Sequence, residues 1–329
     1  MTLKAPFPYF GGKSRVAHLV WERFGDVPNY VEPFAGSLAV LLGRPGTHLR
    51  KDGLWPTETV NDLDGFVSNA WRAILHDPEA TAHAADWPVN ECDLHARHLW
   101  LVRHREELSS RLMADPDYFD AKTAGWWLWG IACWIGSGWC SGDGPWTEDG
   151  GLFILGSAGT GVNKKLPHLG DAGRGVNKKR NASAWLSALS DRLHRVRVCC
   201  GDWMRVTGDS VTIAHGTTGV MLDPPYADTA DRNGNIYAKD SMSVAHDVRQ
   251  WAIEHGDDPR LRIALCGYEG EHAMPEDWDK VAWKAPGGYG SQGTGRGRDN
   301  ATKERIWFSP HCLKPGEGQM GLFTQNPQQ

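Results

Sequence analysis

Apolar and polar positions follow two patterns along this chain. In the first eighty residues, short apolar-edged runs alternate with helical spacing. Tyr30-Val31-Glu32 reads as a strand, Gly36-Ser37 as a small-residue turn, and Leu38 to Leu42 as a helix. Glu58 to Asn61 reads as a second strand, ending in Asp62 and Asp64, and Phe66 to Leu75 has helical spacing. This order predicts a mostly parallel sheet with helices on its faces. From Thr81 to Ser183 the pattern changes. His95 to Met113 and Ala121 to Ile135 read as helices, and Gly136 to Gly161 is rich in Gly, Ser and Trp. The strand–helix alternation then returns. Trp185, Leu186, Leu189 and Leu193 share one helical face. Val196 to Cys199, Gly219 to Leu222 and Leu261 to Cys266 read as strands, and Val244 to His255 reads as a helix. Val281 to Trp283 and Arg305 to Phe308 read as an antiparallel pair. Between them lies a Gly-rich segment, Gly287 to Gly297, that carries Tyr289. The expected organisation is a sheet domain from residues 1–80 and 184–315, interrupted by a mainly helical inserted domain at 81–183. Residues 316–329 form a tail expected to be poorly ordered.

Composition narrows the class. The chain has 329 residues, 40% hydrophobic and 23% charged, enough to build a large core and to exclude a disordered or disulfide-stapled chain. The longest apolar patch, Trp126 to Gly136, is too short to span a bilayer, and no secretory pattern opens the sequence. Seven irregularly spaced Cys suit reduced thiols. A cytoplasmic protein without membrane partners is expected, as a monomer or weak dimer. No metal is expected: Cys133 and Cys140, or Cys199 and Cys200, lack the paired short spacings of a zinc site.

Charge is uneven. The net charge is −5, yet between Gly161 and Cys200 nine Lys/Arg face two acids, leaving the rest of the chain near −12. Within that stretch Gly161-Val162-Asn163-Lys164-Lys165 recurs as Gly175-Val176-Asn177-Lys178-Lys179. A local polyanion contact and a solvated, lysine-bearing loop account for this equally well. The 17 Trp outnumber Phe and Tyr together, so most are expected as core anchors and a few as stacking faces.

Asp223-Pro224-Pro225-Tyr226 follows the apolar strand Val220-Met221-Leu222 directly. In an open α/β sheet, ligands bind beyond the carboxyl ends of strands. The four residues suit one chemical problem, methylation of an exocyclic amine conjugated to a ring. Hydrogen bonds from that amine to a carboxylate and a main-chain carbonyl favour a nucleophilic nitrogen. They also stabilise the positive charge developing on it. Asp223 supplies the carboxylate, Pro224 the carbonyl and Tyr226 a flat face, while two prolines stiffen the turn. The competing reading is a proline turn that caps a buried strand. Two further stretches are weaker alone. Val31-Glu32-Pro33-Phe34-Ala35-Gly36-Ser37 is a strand–turn–helix of the kind that brings backbone close to a nucleoside-type ligand. Pro8-Tyr9-Phe10-Gly11-Gly12-Lys13 pairs a flexible turn with a cation suited to a carboxylate.

Taken in order, these stations resemble the Dam-type adenine-specific DNA methyltransferases, the D12 class or α group. Tyr9 to Lys13 is similar to that family's amino-terminal cofactor motif, and Glu32 to Ser37 to its first Rossmann motif. Asn61-Asp62-Leu63-Asp64 is similar to the acidic strand end that follows, and Asp223 to Tyr226 to its catalytic motif. The resemblance implies a Rossmann-like sheet binding S-adenosylmethionine, with a DNA target-recognition domain in the insertion. It implies that Tyr9, Gly12 and Lys13 meet the methionine part, and that Glu32, Phe34 and Gly36 line the site. It implies Asp62 for the ribose hydroxyls and Asp202, within Gly201-Asp202-Trp203, toward the adenine, with Asp223 also counted among the cofactor-binding residues. Asp223, Pro224 and Tyr226 would hold a flipped adenine of double-stranded DNA. Extruding that base costs a few kcal/mol, offset by phosphate contacts. Lys164, Lys165, Arg174, Lys178, Lys179 and Arg180 are the candidates for those contacts, and Arg296 and Arg298 could add a second set. The family's motif has Gly two positions after Gly36. Leu38 stands there instead, which predicts a less close backbone approach. N4-cytosine, RNA or protein glutamine as acceptor remains the competing class.

Overall fold

The computed structural model describes residues 3–9, 12–45, 53–134, 139–140, 146–149, 152–155, 182–225, 243–283 and 303–315. Its strands are β1 (Asn29–Glu32), β2 (Thr57–Asp62), β3 (Trp146–Asp149), β4 (Leu152–Leu155), β5 (Val196–Cys200), β6 (Thr218–Leu222), β7 (Leu261–Tyr268), β8 (Asp279–Ala282) and β9 (Glu304–Phe308). Every residue of β1 and of β6 is buried, as expected of central strands covered on both faces. Seven strands form one sheet in the order β5-β2-β1-β6-β7-β9-β8. The pairings along β5, β2, β1, β6 and β7 are all parallel, and β9 runs antiparallel to both its neighbours. The chain builds outward from β1 through β2 to β5, then crosses back to β6 on the other side. That reversal opens a crevice at the carboxyl ends of β1 and β6, the place where open α/β sheets bind ligands.

Helices cover both faces. They are α1 (Ala17–Phe24), α2 (Ala39–Leu42), α3 (Gly65–His76), α4 (Pro78–Ala85), α5 (Glu91–Ala114), α6 (Ala121–Cys133), α7 (Ala182–Leu193) and α8 (Val244–His255). Strand alternation sorts the core into two layers. Met221, Ala264, Cys266, Ile306 and Phe308 pack with α1, α3 and α7. Val220, Leu222, Ile263, Leu265 and Trp307 pack with Val248 and Ala252 of α8. Trp185, Leu186, Leu189 and Leu193 are buried together on one face of α7.

The described helices of the 81–183 segment join the first layer. Leu101, Leu108 and Leu112 of α5 and Trp127 and Leu128 of α6 share the cluster that holds Phe66 and Trp71 of α3. Arg72 of α3 fastens this arrangement, donating from Nη1 to the carbonyls of Leu112, Asp115 and Tyr118 and from Nε to Val198 of β5. A cation over the carboxyl end of a helix satisfies carbonyls that the helix itself leaves open. The boundary expected between residues 80 and 81 falls inside α4.

Some elements differ from expectation for identifiable reasons. No element is predicted for Ala17–Phe24, because Val16 at its start offers no side-chain cap. The carbonyl of Lys13 accepts from Val16 and Ala17 N–H instead, a signal that residue types do not carry. For α4 the signal is present: Asp77 caps Ala80 N–H and Pro78 opens the helix. A β3–β4 hairpin lies where a Gly-, Ser- and Trp-rich stretch is expected. The helix expected through Ile135 ends at Cys133. Among the described residues, no helix is long and apolar enough to cross a membrane, and no group of three or more His, Cys, Asp or Glu could hold a metal ion.

Candidate functional site

The turn after β1 is held from several sides. Gly36 has φ +45°, and a Cβ there would lie 2.6 Å from Cε1 of Tyr9, so only glycine fits. Its N–H donates to Asp62 Oδ2 at 2.9 Å, and its carbonyl accepts from Trp71 Nε1 at 2.8 Å. Leu38 adopts φ 51°, ψ 28°, the left-handed conformation a glycine would supply. The backbone therefore keeps a glycine-like path, and the weaker approach expected from Leu38 does not arise from the turn's shape. The cost of that conformation is about 1–2 kcal/mol, offset by a leucine side chain with 0% exposure.

Beyond the strand ends lies an open cleft, with about 890 Å³ of space between its walls, open solvent included. All nine expected cofactor residues line it. Tyr9, Gly12 and Lys13 come from the amino-terminal segment. Glu32 ends β1 with Phe34 and Gly36 after it, Asp62 ends β2, Asp202 follows β5 and Asp223 follows β6. Leu63, Asp64 and Pro225, from stretches quoted above, also line it, and so does Val244, which was not foreseen. Val244 opens α8, more than twenty residues after Asp223, so no local pattern could have flagged it. Phe34 and Trp203 stack with ring centroids 6.3 Å apart, giving the cleft an aromatic wall. Asp202 also accepts from Met204 N–H at 2.8 Å, capping the short 3-10 turn Trp203–Val206.

The expected catalytic residues divide. Asp223 and Pro225 face the cleft, while Pro224 is buried and does not line it. Tyr226 lies outside the described residues, as do Phe10, Gly11, the repeat at 161–165 and 175–179, and the Gly287–Gly297 segment with Arg296 and Arg298. The six expected phosphate contacts, Lys164, Lys165, Arg174, Lys178, Lys179 and Arg180, also lie outside them.

Of the five carboxyl groups lining the cleft, Glu32, Asp62 and Asp223 have raised pKa values, and Lys13 adds an ammonium. Lys13 Nζ lies 2.8 Å from Asp223 Oδ2, with the lysine side chain 4% exposed and the aspartate 23%. The Trp283 ring centroid lies 5.6 Å from the same ammonium. Burial pushes the Asp223 carboxyl above its usual range, and the Lys13 charge pulls it back. Burial lifts Glu32 to about 8, against the hydrogen bond that Tyr30 Oη donates at 2.9 Å; the nearby Asp223 charge adds to the rise. Burial also lifts Asp62 to about 7, helped by the Asp64 charge and opposed by the N–H groups of Gly36 and Asp64. At neutral pH Glu32 is therefore mostly uncharged, while the Asp223 carboxyl lies against the Lys13 ammonium, whose charge favours its ionised form. The cleft combines a flat aromatic wall, hydrogen-bond acceptors at two strand ends and a buried ion pair. That set suits a ligand with a ring, hydroxyl or amine donors and a charged group. Neither a scan against models of protein families nor a search of curated proteins finds a match to this chain.

Proposed function

We propose that this protein is a site-specific DNA adenine N6-methyltransferase using S-adenosylmethionine. One observation carries the reading. Four stretches far apart in sequence, quoted for the Dam-type resemblance, line one cleft with the Lys13–Asp223 pair in its wall. The Rossmann-like order of β5, β2, β1, β6 and β7, with the cleft at its reversal, supports it.

When bound, S-adenosylmethionine supplies an electrophilic methyl group on a sulfonium. The residues present fit such a group. Phe34 and Trp203 offer an apolar wall for its adenine. Asp62 accepts from the backbone N–H groups of Gly36, Asp64 and Leu63, which leaves the carboxylate about one lone-pair site for a ribose hydroxyl. Tyr9, Gly12 and Lys13 stand ready for its amino-acid end. Asp223, at the cleft wall, accepts from the exocyclic amine of the target adenine; the resemblance would add Tyr226, outside the described residues, as the flat face for the ring. The Asp223 carboxylate stabilises the positive charge that develops on the nitrogen. Lys13 favours the ionised carboxylate that this work requires. The 81–183 insertion, with its lysine-rich stretch, would read and grip the DNA.

Incubation with tritiated S-adenosylmethionine and duplex DNA, followed by nucleoside analysis, tests the reading. Label is expected in N6-methyladenine and absent with Asp223→Ala. Label in N4-methylcytosine, in RNA or in protein, or full activity of the variant, overturns it.

A further inference from the structure

We infer that Asn61 is a positioning residue that fixes the separation of two walls of the cleft, an inference resting on the cofactor reading above. Asn61 lies in β2, between β1 and β5, and is 1% exposed. Its Nδ2 spends one hydrogen on the Pro33 carbonyl at 3.1 Å and the other on the Gly201 carbonyl at 2.9 Å. Both acceptors are carbonyls, so the amide can face only one way. Pro33 leads into Phe34, and Gly201 leads into Asp202 and Trp203. One side chain therefore ties the segment carrying one aromatic ring to the segment carrying the other.

Backbone bonds continue the tie. Ala35 N–H donates to the Asn61 carbonyl at 2.8 Å, and Gly201 N–H to the Asp62 carbonyl at 3.1 Å. Gly201 has φ +139°, and a Cβ there would meet Arg205 Nη1 at 2.7 Å, so its path is confined as well. The Asn61 Oδ1 has no partner among the described residues. The amide thus commits both of its donors to these two segments, while the residue itself also lines the cleft. Removing it strands two carbonyls and frees the turns after β1 and β5 to drift apart, opening the gap between Phe34 and Trp203.

The test compares the full-length protein with Asn61→Leu, similar in size but without donors. Hydrogen exchange is expected to quicken at least about tenfold in both residues 33–37 and 201–206, with β7 and α8 unchanged. The Kd for S-adenosylmethionine, by calorimetry, is expected to rise about tenfold or more. Methyl transfer at saturating cofactor should change less than about threefold. Exchange that quickens throughout the sheet, in one segment only or not at all, overturns the inference. So does an unchanged Kd. Asn61→Ser, which keeps one donor, gives the same two readings should the leucine variant not fold, and parental values from it overturn the inference. If the unsubstituted protein binds no S-adenosylmethionine, the cofactor reading fails, while the exchange result still decides whether Asn61 couples the two segments.

Discussion

The ammonium of Lys13 and the carboxylate of Asp223 form an ion pair at 2.8 Å, though more than two hundred residues of chain separate them. Burial raises the Asp223 pKa and Lys13 lowers it, burial being the larger effect. Asp223 is thus ionised only above a pH higher than the usual carboxylate range. If the protein transfers methyl groups as proposed, that activity should fall on an acid limb at that pH. In Lys13→Met the lowering charge is gone, and the limb should move to higher pH. A pH–rate profile measured at saturating cofactor checks this. A limb in the parental position would show that Lys13 does not control the charge of Asp223.

Glu32 gives a prediction about stability. Its folded pKa, about 8, lies above the ordinary 4.5, so folding favours the protonated form. Its contribution is fully present below about 4.5 and is lost as pH rises through about 8. Over that window the group lowers stability by up to about 1.4 kcal/mol per pH unit. Glu32→Gln keeps an oxygen to accept from Tyr30 but cannot ionise. Its stability relative to the parent should therefore climb steadily from pH 5 to pH 8 in denaturant titrations. A constant difference would mean that Glu32 ionises as readily folded as unfolded.

Where a segment's fate depends on its own residues, the sequence reveals it. The apolar runs of β1, β2, β5, β6 and β7, and the terminal antiparallel pair β8 and β9, all form near their expected places. The convergence of Glu32, Asp62 and Asp223 was legible because each sits at or just after a strand end, and parallel strands bring like ends together; Tyr9 and Lys13, on the segment before α1, were expected there only from the resemblance. What was not legible depends on distant partners. Asn61 reads as one more polar residue until the sheet order sets it between β1 and β5. The helix α1 starts on a main-chain carbonyl, which residue type does not reveal. Leu38 looks like a departure from a glycine motif, yet packing holds it in the glycine conformation.

Leu38 poses two opposed effects whose magnitudes decide the outcome. Leu38→Gly relieves the left-handed strain, about 1–2 kcal/mol, but empties a side chain with 0% exposure. Loss of a buried leucine side chain costs about 3–5 kcal/mol. The variant should be net destabilised by about 1–4 kcal/mol by urea denaturation, while its S-adenosylmethionine affinity stays within about threefold because the turn's path is preserved. A gain in stability would mean that strain at this turn outweighs packing.

Glu58 separates fold from function. It is buried in β2, 4% exposed, and accepts from Arg192 of α7 through both oxygens at 2.7 and 3.0 Å and from Arg44 at 3.0 Å. Arg192 also donates to the Leu41 carbonyl and Arg44 to that of Val27, so one carboxylate ties α7 and the chain after α2 to the sheet. Replacing a buried ion pair by a good apolar fit can be neutral, but removing one partner leaves charge unmatched. Glu58→Ala strands two guanidinium groups and should cost about 3–5 kcal/mol. Glu58→Gln keeps the oxygen acceptor and should cost less. Glu58 does not line the cleft, so the variant molecules that remain folded should bind S-adenosylmethionine as the parent does. A glutamine variant as unstable as alanine would point to the shape of the site rather than its charge. A change in cofactor affinity without loss of stability would mean that this cluster acts on the cleft itself.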